Sequence, residues 1–379
     1  MGAIAVVFWV SVGLLLYTHA GYPLLLAVAA RGVRERTPPA GGDATPAVSL
    51  IIAAHDEAAV IAGKVANALA LAWPRDRLQV VVCCDGATDA TAGRAREAGT
   101  DLVLELERVG KVRAQDAGVA ASSGELLAFS DANASWEPDA LAALVRAFDD
   151  PAVGYACGQV RFVQAARGRA ADNQEGLYWR YEMAIRANES RLRSVTAGNG
   201  AIYAVRREAY IVVDERMGHD LSFPFNMVKR GWRAVYVPAA RASEKMVPSI
   251  GGEFARKRRM TSHAWPIVLR GGMLSPRGYG LRYGWMIYSH RVLRYAGPAL
   301  HVIAFAANVA LVGQGALYDA CLGVQVAFLL AAATAARVHS RPLLLARYYL
   351  SMNASLAAGL WDYLRHGTPA GWDAPEGTR

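Results

Sequence analysis

Three short acidic segments each follow an apolar run: His55-Asp56-Glu57, Asp85-Gly86-Ala87-Thr88-Asp89 and Asp131-Ala132-Asn133. Any one of them reads as a helix cap, because Asp and Asn after a strand accept from the first N–H groups of the next helix. Three on one rim offer more. Carboxylates hold a divalent ion whose shell a diphosphate completes, and they meet ribose hydroxyls. Arg108-Val109-Gly110-Lys111 adds a glycine that admits close backbone approach and a lysine that can meet a phosphate. Gly198-Asn199-Gly200 is a fragment of a dinucleotide fingerprint, with Tyr203 where the last glycine would stand. No GxxxxGKS/T, HExxH or GxSxG occurs, and Cys83, Cys84, Cys157 and Cys321 lack metal-ligand spacing. Those thiols read as small buried groups in a reducing compartment.

These residues need a frame. Strands are expected at 48–54, 78–84, 102–106, 126–130 and 153–163, with helix-length stretches between the first four. The βαβα order implies a parallel sheet with helices on both faces. Ligands in such sheets bind beyond the carboxyl ends of the strands, where the acidic segments fall.

The chain has 379 residues, 54% hydrophobic and 19% charged, with a net charge of +9. That composition argues against a disordered chain, a collagen-like repeat and a disulfide-stapled mini-protein. Residues 3–30 carry no charged side chain and are long enough to span a bilayer. Arg31, Arg34 and Arg36 follow and place the next residues in the cytoplasm; Pro38, Pro39, Gly41, Gly42 and Pro46 read as a linker. Two further spans are expected near 293–313 and 320–337, joined by GQGALYD on the outside. The segment 343–364 contains Arg347, Asn353 and Asp362 and stands between spanning and re-entrant; Arg365 and Arg379 favour a cytoplasmic C-terminus. Arginines beside the apolar ends (Arg256 to Arg259, Arg337, Arg341) suit membrane lipid and an anionic substrate, not nucleic acid. The expected layout is an N-terminal transmembrane helix at 1–30 and an α/β domain at 46–245. Interfacial amphipathic helices follow at 246–282, two transmembrane helices at 283–339 and a third membrane segment at 342–365.

The order of the motifs resembles glycosyltransferase family 2, the inverting enzymes with a GT-A fold, and within it the membrane-bound bacterial polysaccharide enzymes. Residues 49–57, SLIIAAHDE, match the family's opening strand and turn, with Asp56 where Asn is usual. The resemblance implies that Ala54, Asp56 and Glu57 contact the nucleotide. Residues 85–89, DGATD, match the family's Asp-Gly-Ser-Thr-Asp, which puts Asp85 on the uracil; Gly110 and Lys111 match its phosphate-side Gly-Lys. The DxD motif matches Asp131-Ala132-Asn133, so Asp131 would meet both nucleotide and metal, and Asn133 offers a neutral oxygen in place of a carboxylate. Residues 196–207, with Gly198, Asn199 and Gly200, resemble the acceptor-side segment. Asp220 matches the catalytic base, and His219 stands where an acidic residue is usual. Without the resemblance, Asp220 reads as a cap on a helix over 221–230. Arg256 and Arg259 match the arginines of the family's interfacial helix, where Met260 replaces a tryptophan; Trp265, five residues on, is a poor stand-in.

The resemblance implies an α/β fold: a GT-A (Rossmann-like, mostly parallel sheet) catalytic domain with N- and C-terminal transmembrane helices. It implies a hexosyltransferase in the inner membrane with a cytoplasmic catalytic domain and Mg²⁺ or Mn²⁺ as cofactor. The donor would be a nucleoside-diphosphate sugar, a UDP-sugar in the first instance, and the acceptor a lipid-linked or glycan hydroxyl. Three rivals differ in class: a processive synthase that also translocates its polymer, a non-catalytic nucleotide-sugar-binding protein, and a transporter with a soluble domain. Retention of Asp85, Lys111, Asp131 and Asp220 weighs against the second, and the lack of an intramembrane charge relay against the third.

Overall fold

A computed structural model describes residues 2–33, 45–163, 172–245, 250–335, 337–338 and 340–368. Arg34, Arg36, the linker residues 38–42 and Arg379 lie outside the described residues.

The chain opens with α1 (Gly2–Leu16), a π turn at Tyr17–Gly21 and α2 (Tyr22–Arg31), which together form one helix of 30 residues. The α/β domain follows as β1 (Val48–Ala54), α3 (Ile61–Leu69), β2 (Leu78–Asp85), α4 (Thr91–Glu97), β3 (Leu102–Leu106), α5 (Lys111–Ala121) and β4 (Leu126–Asp131). It continues with β5 (Ser135–Trp136), α6 (Ala140–Arg146), β6 (Val153–Val163), α7 (Asp172–Leu192), β7 (Tyr203–Arg206), α8 (His219–Lys229) and β8 (Arg233–Lys245). All seven residues of β1 are buried, as expected of a central strand covered on both faces.

The eight strands form one sheet in the order β3-β2-β1-β4-β7-β6-β8-β5. β1 lies parallel between β2 and β4, so the acidic ends of all three emerge side by side on one rim. The sheet is mixed: β7 runs antiparallel to both β4 and β6. This four-residue strand was not among the expected ones, being too short after the glycine-rich turn to show an alternating pattern. Strand residues alternate between two cores. Leu50, Ile52, Val80 and Val82 pack on one face; Ile51, Val81, Phe129, Tyr155, Tyr203 and Phe223 pack on the other.

Beyond the sheet come α9 (Ile250–Leu269), α10 (Gly280–Ile287), a π turn at Tyr288–Val292, α11 (Leu293–Ala310), α12 (Ala316–Thr334) and α13 (Arg341–His366). Three helices are long and apolar enough to cross a membrane: Gly2–Arg31, Gly280–Ala310 and Ala316–Thr334. The expected spans shift accordingly. The span expected near 293–313 ends at Ala310, and the one near 320–337 starts at Ala316. The joint loses its last four residues to α12 because Asp319 Oδ1 accepts from Gly313 N–H at 2.8 Å and sits in the first turn of the helix. α13 packs along α9, with Trp265 Nε1 donating to Leu356 O at 3.0 Å and Arg258 pairing with Asp362 through two 2.6 Å contacts.

Tyr22, Leu26, Leu221, Phe225, Trp265 and Tyr283 form a third core that joins the membrane-type helices to the α/β domain. Buried Glu189 anchors that joint. It accepts from Tyr22 Oη, Thr196 N–H and His290 Nδ1 at 2.7, 3.0 and 2.7 Å.

Candidate active site

A cavity of about 580 Å³ opens at the carboxyl ends of β1 and β4 and runs towards α9, α11 and α13. It brings together Glu57, Lys111, Asp131, Asn133, Gly198, Asn199, Gly200, His219, Asp220, Arg256 and Arg259. Ala54, Asp56 and Asp85 do not line it.

Those three shape its rim. Ala54 is fully buried at the end of β1. Asp56 has a left-handed backbone (φ 50°) that Asp tolerates better than most residues, and its Oδ1 accepts from Thr88 N–H at 2.7 Å. That bond holds its carboxyl below the usual range. Asp85 is fully buried, and its Oδ1 accepts from the N–H groups of Val109 and Gly110 at 2.7 and 3.0 Å. The carboxylate thereby ties down the loop that launches α5. Gly110, at φ 89°, makes the left-handed turn that sets Lys111 on the first turn of α5. Asp85 Oδ2 has no hydrogen-bond partner among the described residues; Arg108 Nε lies 3.9 Å away.

Lys111 Nζ reaches Asp131 and pairs with it. Burial lowers the lysine's pKa, but Asp131 outweighs it, and the net shift is upward. Gly200 faces the pair. A Cβ there would stand 3.9 Å from Lys111 Nζ and 4.0 Å from Asp220 Cβ, so the missing side chain leaves room between cation and carboxylate.

Asp220 is the second residue of α8, half-buried at the cavity wall. The helix starts at 219, and Gly218, not Asp220, occupies the cap position. The capping role expected for Asp220 on 221–230 is therefore corrected: its carboxylate lies inside the first turn. Burial pushes its pKa up against the pull of Lys111 and the Leu221 N–H. A carboxylate so placed is a stronger base than one in water. Gly198 N–H donates to Asp220 O at 2.6 Å, and Gly198 packs so closely on Tyr155 that a Cβ would meet Tyr155 Oη at 1.8 Å. The Gly198–Gly200 turn is thus a wall fixed to Asp220.

His219 is 3% exposed and sits among Phe129, Tyr203, Tyr210 and Phe223, with its Nδ1 2.8 Å from Tyr203 Oη. Burial and Lys111 drive its pKa down to about 3, so it is neutral at physiological pH. Met260 is half-exposed on the cavity wall, whereas Trp265 is buried against α13.

Two further groups belong to the site. Glu244, on β8, lines the cavity, and burial together with Asp131 pushes its pKa up to about 7. Lys64 on α3 is buried behind the Asp131–Ala134 turn. It donates to Ala134 O at 2.8 Å, and burial lowers its pKa to about 7, against Asp131 and Glu244. Neither carries a local motif; they reach the site through strand pairing and helix packing. The crowding of Asp131 and Glu244, with the Asn133 amide on the same cavity wall, is an all-oxygen set of the kind a hard divalent cation takes.

The profile described as "Glycosyltransferase like family 2" matches residues 46–262. An N-acetylglucosaminyltransferase of Mesorhizobium japonicum is 28% identical over 238 residues, 58% of this chain and 56% of that protein. One from Rhizobium sp. strain N33 is 26% identical over 236 residues, 58% of this chain and 52% of that protein. The chain spans about half the length of these curated relatives. Among solved structures, the mannosyltransferase PcManGT from Pyrobaculum calidifontis, in complex with GDP-Man and Mn²⁺, superposes with a TM-score of 0.72 at 24% identity. The match covers 95% of this chain and 99% of that one. The fold is shared almost end to end, and with more than half of its length matched by the family profile, the chain belongs to glycosyltransferase family 2, with a GT-A-type catalytic domain.

Proposed function

We propose that this protein is a membrane-bound inverting glycosyltransferase that moves a sugar from a UDP-sugar to a hydroxyl of a lipid-linked or glycan acceptor. The reaction would run on the cytoplasmic side of the inner membrane. The observation that carries the reading is the placing of Asp220 across Gly200 from the Lys111–Asp131 pair, within one cavity. Asp220 takes the acceptor proton while the acceptor oxygen bonds to the anomeric carbon. The bond from that carbon to the diphosphate breaks on the opposite face, and the diphosphate leaves with the electron pair. A single base opposite the leaving group gives inversion.

Lys111, with Arg259, meets the charge that grows on the diphosphate. Asp131, Asn133 and Glu244 would hold Mg²⁺ or Mn²⁺, which when bound adds a further positive charge beside the diphosphate. Asp85 offers Oδ2, which has no hydrogen-bond partner among the described residues though Arg108 Nε lies 3.9 Å away, to the N–H of a uracil ring. The names of the curated relatives make N-acetylglucosamine the first sugar to try.

Purified protein in detergent, supplied with UDP-N-acetylglucosamine, Mg²⁺ or Mn²⁺ and lipid or glycan acceptors, should release UDP and glycosylate acceptor. Excess EDTA should abolish both. Failure of the protein to bind UDP at all would overturn the reading; full turnover in EDTA would remove the metal from it.

A further inference from the structure

Three charged side chains share one buried face of α7. Glu182, Arg186 and Glu189 stand four and then three residues apart, the spacing of a single helix stripe, and all three are buried. Burying charges adds little stability, since well-packed apolar side chains in their place do as well or better. What the stripe supplies is fixed geometry, because each buried charge must meet set partners. Glu182 faces Arg294 and His290 of the helix Gly280–Ala310. The other two meet the segment 196–200 that walls Asp220.

Glu189 holds the start of that segment. Its Oε2 accepts from Thr196 N–H and Oγ1 at 3.0 and 2.9 Å, while its Oε1 accepts from Tyr22 Oη and His290 Nδ1. Arg186 holds the middle, with Nη2 donating to Gly198 O at 3.1 Å. Gly198 N–H donates onward to Asp220 O at 2.6 Å, so a single residue stands between the guanidinium and Asp220. The two charges also sense each other. Burial and Asp131 push the Asp220 pKa up, and Lys111, the Leu221 N–H and Arg186 pull it down. Asp220 thus faces Lys111 from α5, Asp131 from β4 and Arg186 from α7, with neutral His219 before it and the hydroxyls of Tyr155, Tyr203 and Tyr295 nearby.

We propose that Arg186 and Glu189 are positioning residues for the transfer step: they hold the segment 196–200 at two points, and Arg186, through Gly198, sets Asp220 in place. The positive charge so placed also favours the ionised carboxylate, the form that can take a proton. The inference rests on the glycosyltransferase reading above and adds two residues to it. Their work is done through Thr196, Gly198 and Asp220, not on the sugar. Because Glu189 also carries Tyr22 and His290, the same carboxylate ties two membrane-type helices to the wall beside Asp220.

The test is the pH profile of kcat/KM for the full chain in detergent micelles, beside titration with UDP. Turnover is read as UDP release from UDP-N-acetylglucosamine, with chitobiose or water taking the sugar. Arg186→Gln removes the charge and keeps a donor for Gly198 O. Its acid limb should move up by about 0.5–1 pH unit, because the carboxylate loses a neighbour that favours its ionised form, and UDP affinity should stay near wild type. Arg186→Lys restores the charge and should bring the limb back, whereas a merely structural loss would lower the rate by one factor at every pH. Thr196→Val leaves every charge and removes a hydroxyl that Glu189 holds; kcat should fall on the order of tenfold with UDP affinity unchanged. Tyr22→Phe takes a bond from the same carboxylate on the side away from the segment, and should leave kcat within about twofold despite a similar loss of thermal stability. If Arg186→Gln does not fold, the Thr196 and Tyr22 variants decide the matter between them. An unshifted limb in Arg186→Gln, or equal losses of kcat in Thr196→Val and Tyr22→Phe, overturns the proposal and leaves the glycosyltransferase reading standing. A wild-type protein that binds UDP but releases none from the sugar nucleotide at any pH sinks that reading and this inference with it.

Discussion

Asp220 and Gly198 carry the sharpest consequences. Asp220→Asn removes the proposed proton acceptor but keeps the side chain's size, so turnover should fall by about 10²–10⁴ with UDP affinity nearly unchanged. Single-turnover transfer and nucleotide titration on the same preparation would check it, and turnover close to wild type would end the assignment. The pH profile follows from the same group. Burial raises the Asp220 pKa, and the base works only when ionised. Activity should therefore be full well above that pKa and fall as pH drops through it, with the acid limb of kcat/KM displaced above about pH 4, where a free Asp titrates. Gly198 presents a packing limit. Gly198→Ala would drive Cβ into Tyr155 Oη, costing about 1–3 kcal/mol as overpacking. Tyr155→Phe alone should be nearly neutral, since Oη has no hydrogen-bond partner among the described residues. Combined, the two should recover only part of the loss, because Tyr155 Cζ would still lie 2.7 Å from the new Cβ. Thermal unfolding of the three variants reads this directly.

The pair of helices α9 and α13 meets at Gly359. A Cβ there would come within 2.2 Å of Thr261 Oγ1 and 2.9 Å of Ser262 N, and the backbone nitrogen cannot yield. Thr261 Oγ1 also donates to Ser355 O at 2.8 Å, so the helices touch along more than a turn. Gly359→Leu should therefore lift α13 from α9 at a cost of about 1–3 kcal/mol, seen as faster proteolysis of the C-terminal segment. Because α9 lines the cavity through Arg256, Arg259 and Met260, transfer should fall as well. Unaltered proteolysis and activity would mean that the contact can open without consequence.

Three helices long and apolar enough to cross a membrane, read with the positive-inside rule, predict a sidedness that reporters can test. Reporters at residue 250 and in the C-terminal tail should lie on one side, and reporters at the N-terminus and at residue 314 on the other. A tail on the same side as residue 314 would mean that α13 spans and would change the count of crossings, while leaving the catalytic domain where it is. The joint of helices and domain is polar as well as apolar: Glu189, with Tyr22, Thr196 and His290 upon it, is fully buried there. Burial alone would raise the Glu189 pKa, but the His290 contacts, Arg291 and the Tyr22 hydroxyl reverse it, and the carboxyl is held below its usual range.

Local pattern determined much of this protein. Apolar runs marked β1, β2 and β4 almost to the residue, because a strand buried on both faces has little room for polar side chains, whereas β3 and β6, with Glu105, Gln159 and Arg161, were marked by their β-rich composition. The acidic ends of β1, β2 and β4, the Gly-Lys before α5 and the Asp at 220 were legible because each needs a residue type that few other backbone positions favour. Tertiary structure decided what distance in sequence hides. Glu244 and Lys64 join the Asp131 site only because β8 and α3 pack there. Arg186 reaches Gly198 O only because α7 packs beside that turn. Asp85, expected at the nucleotide from the resemblance, also holds the loop that aims Lys111, a contact no local spacing showed. The physical reason is the same in each case: a side chain's burial, charge neighbours and unmet hydrogen bonds are set by elements far along the chain. Local spacing records where a strand ends, not what stands across from it.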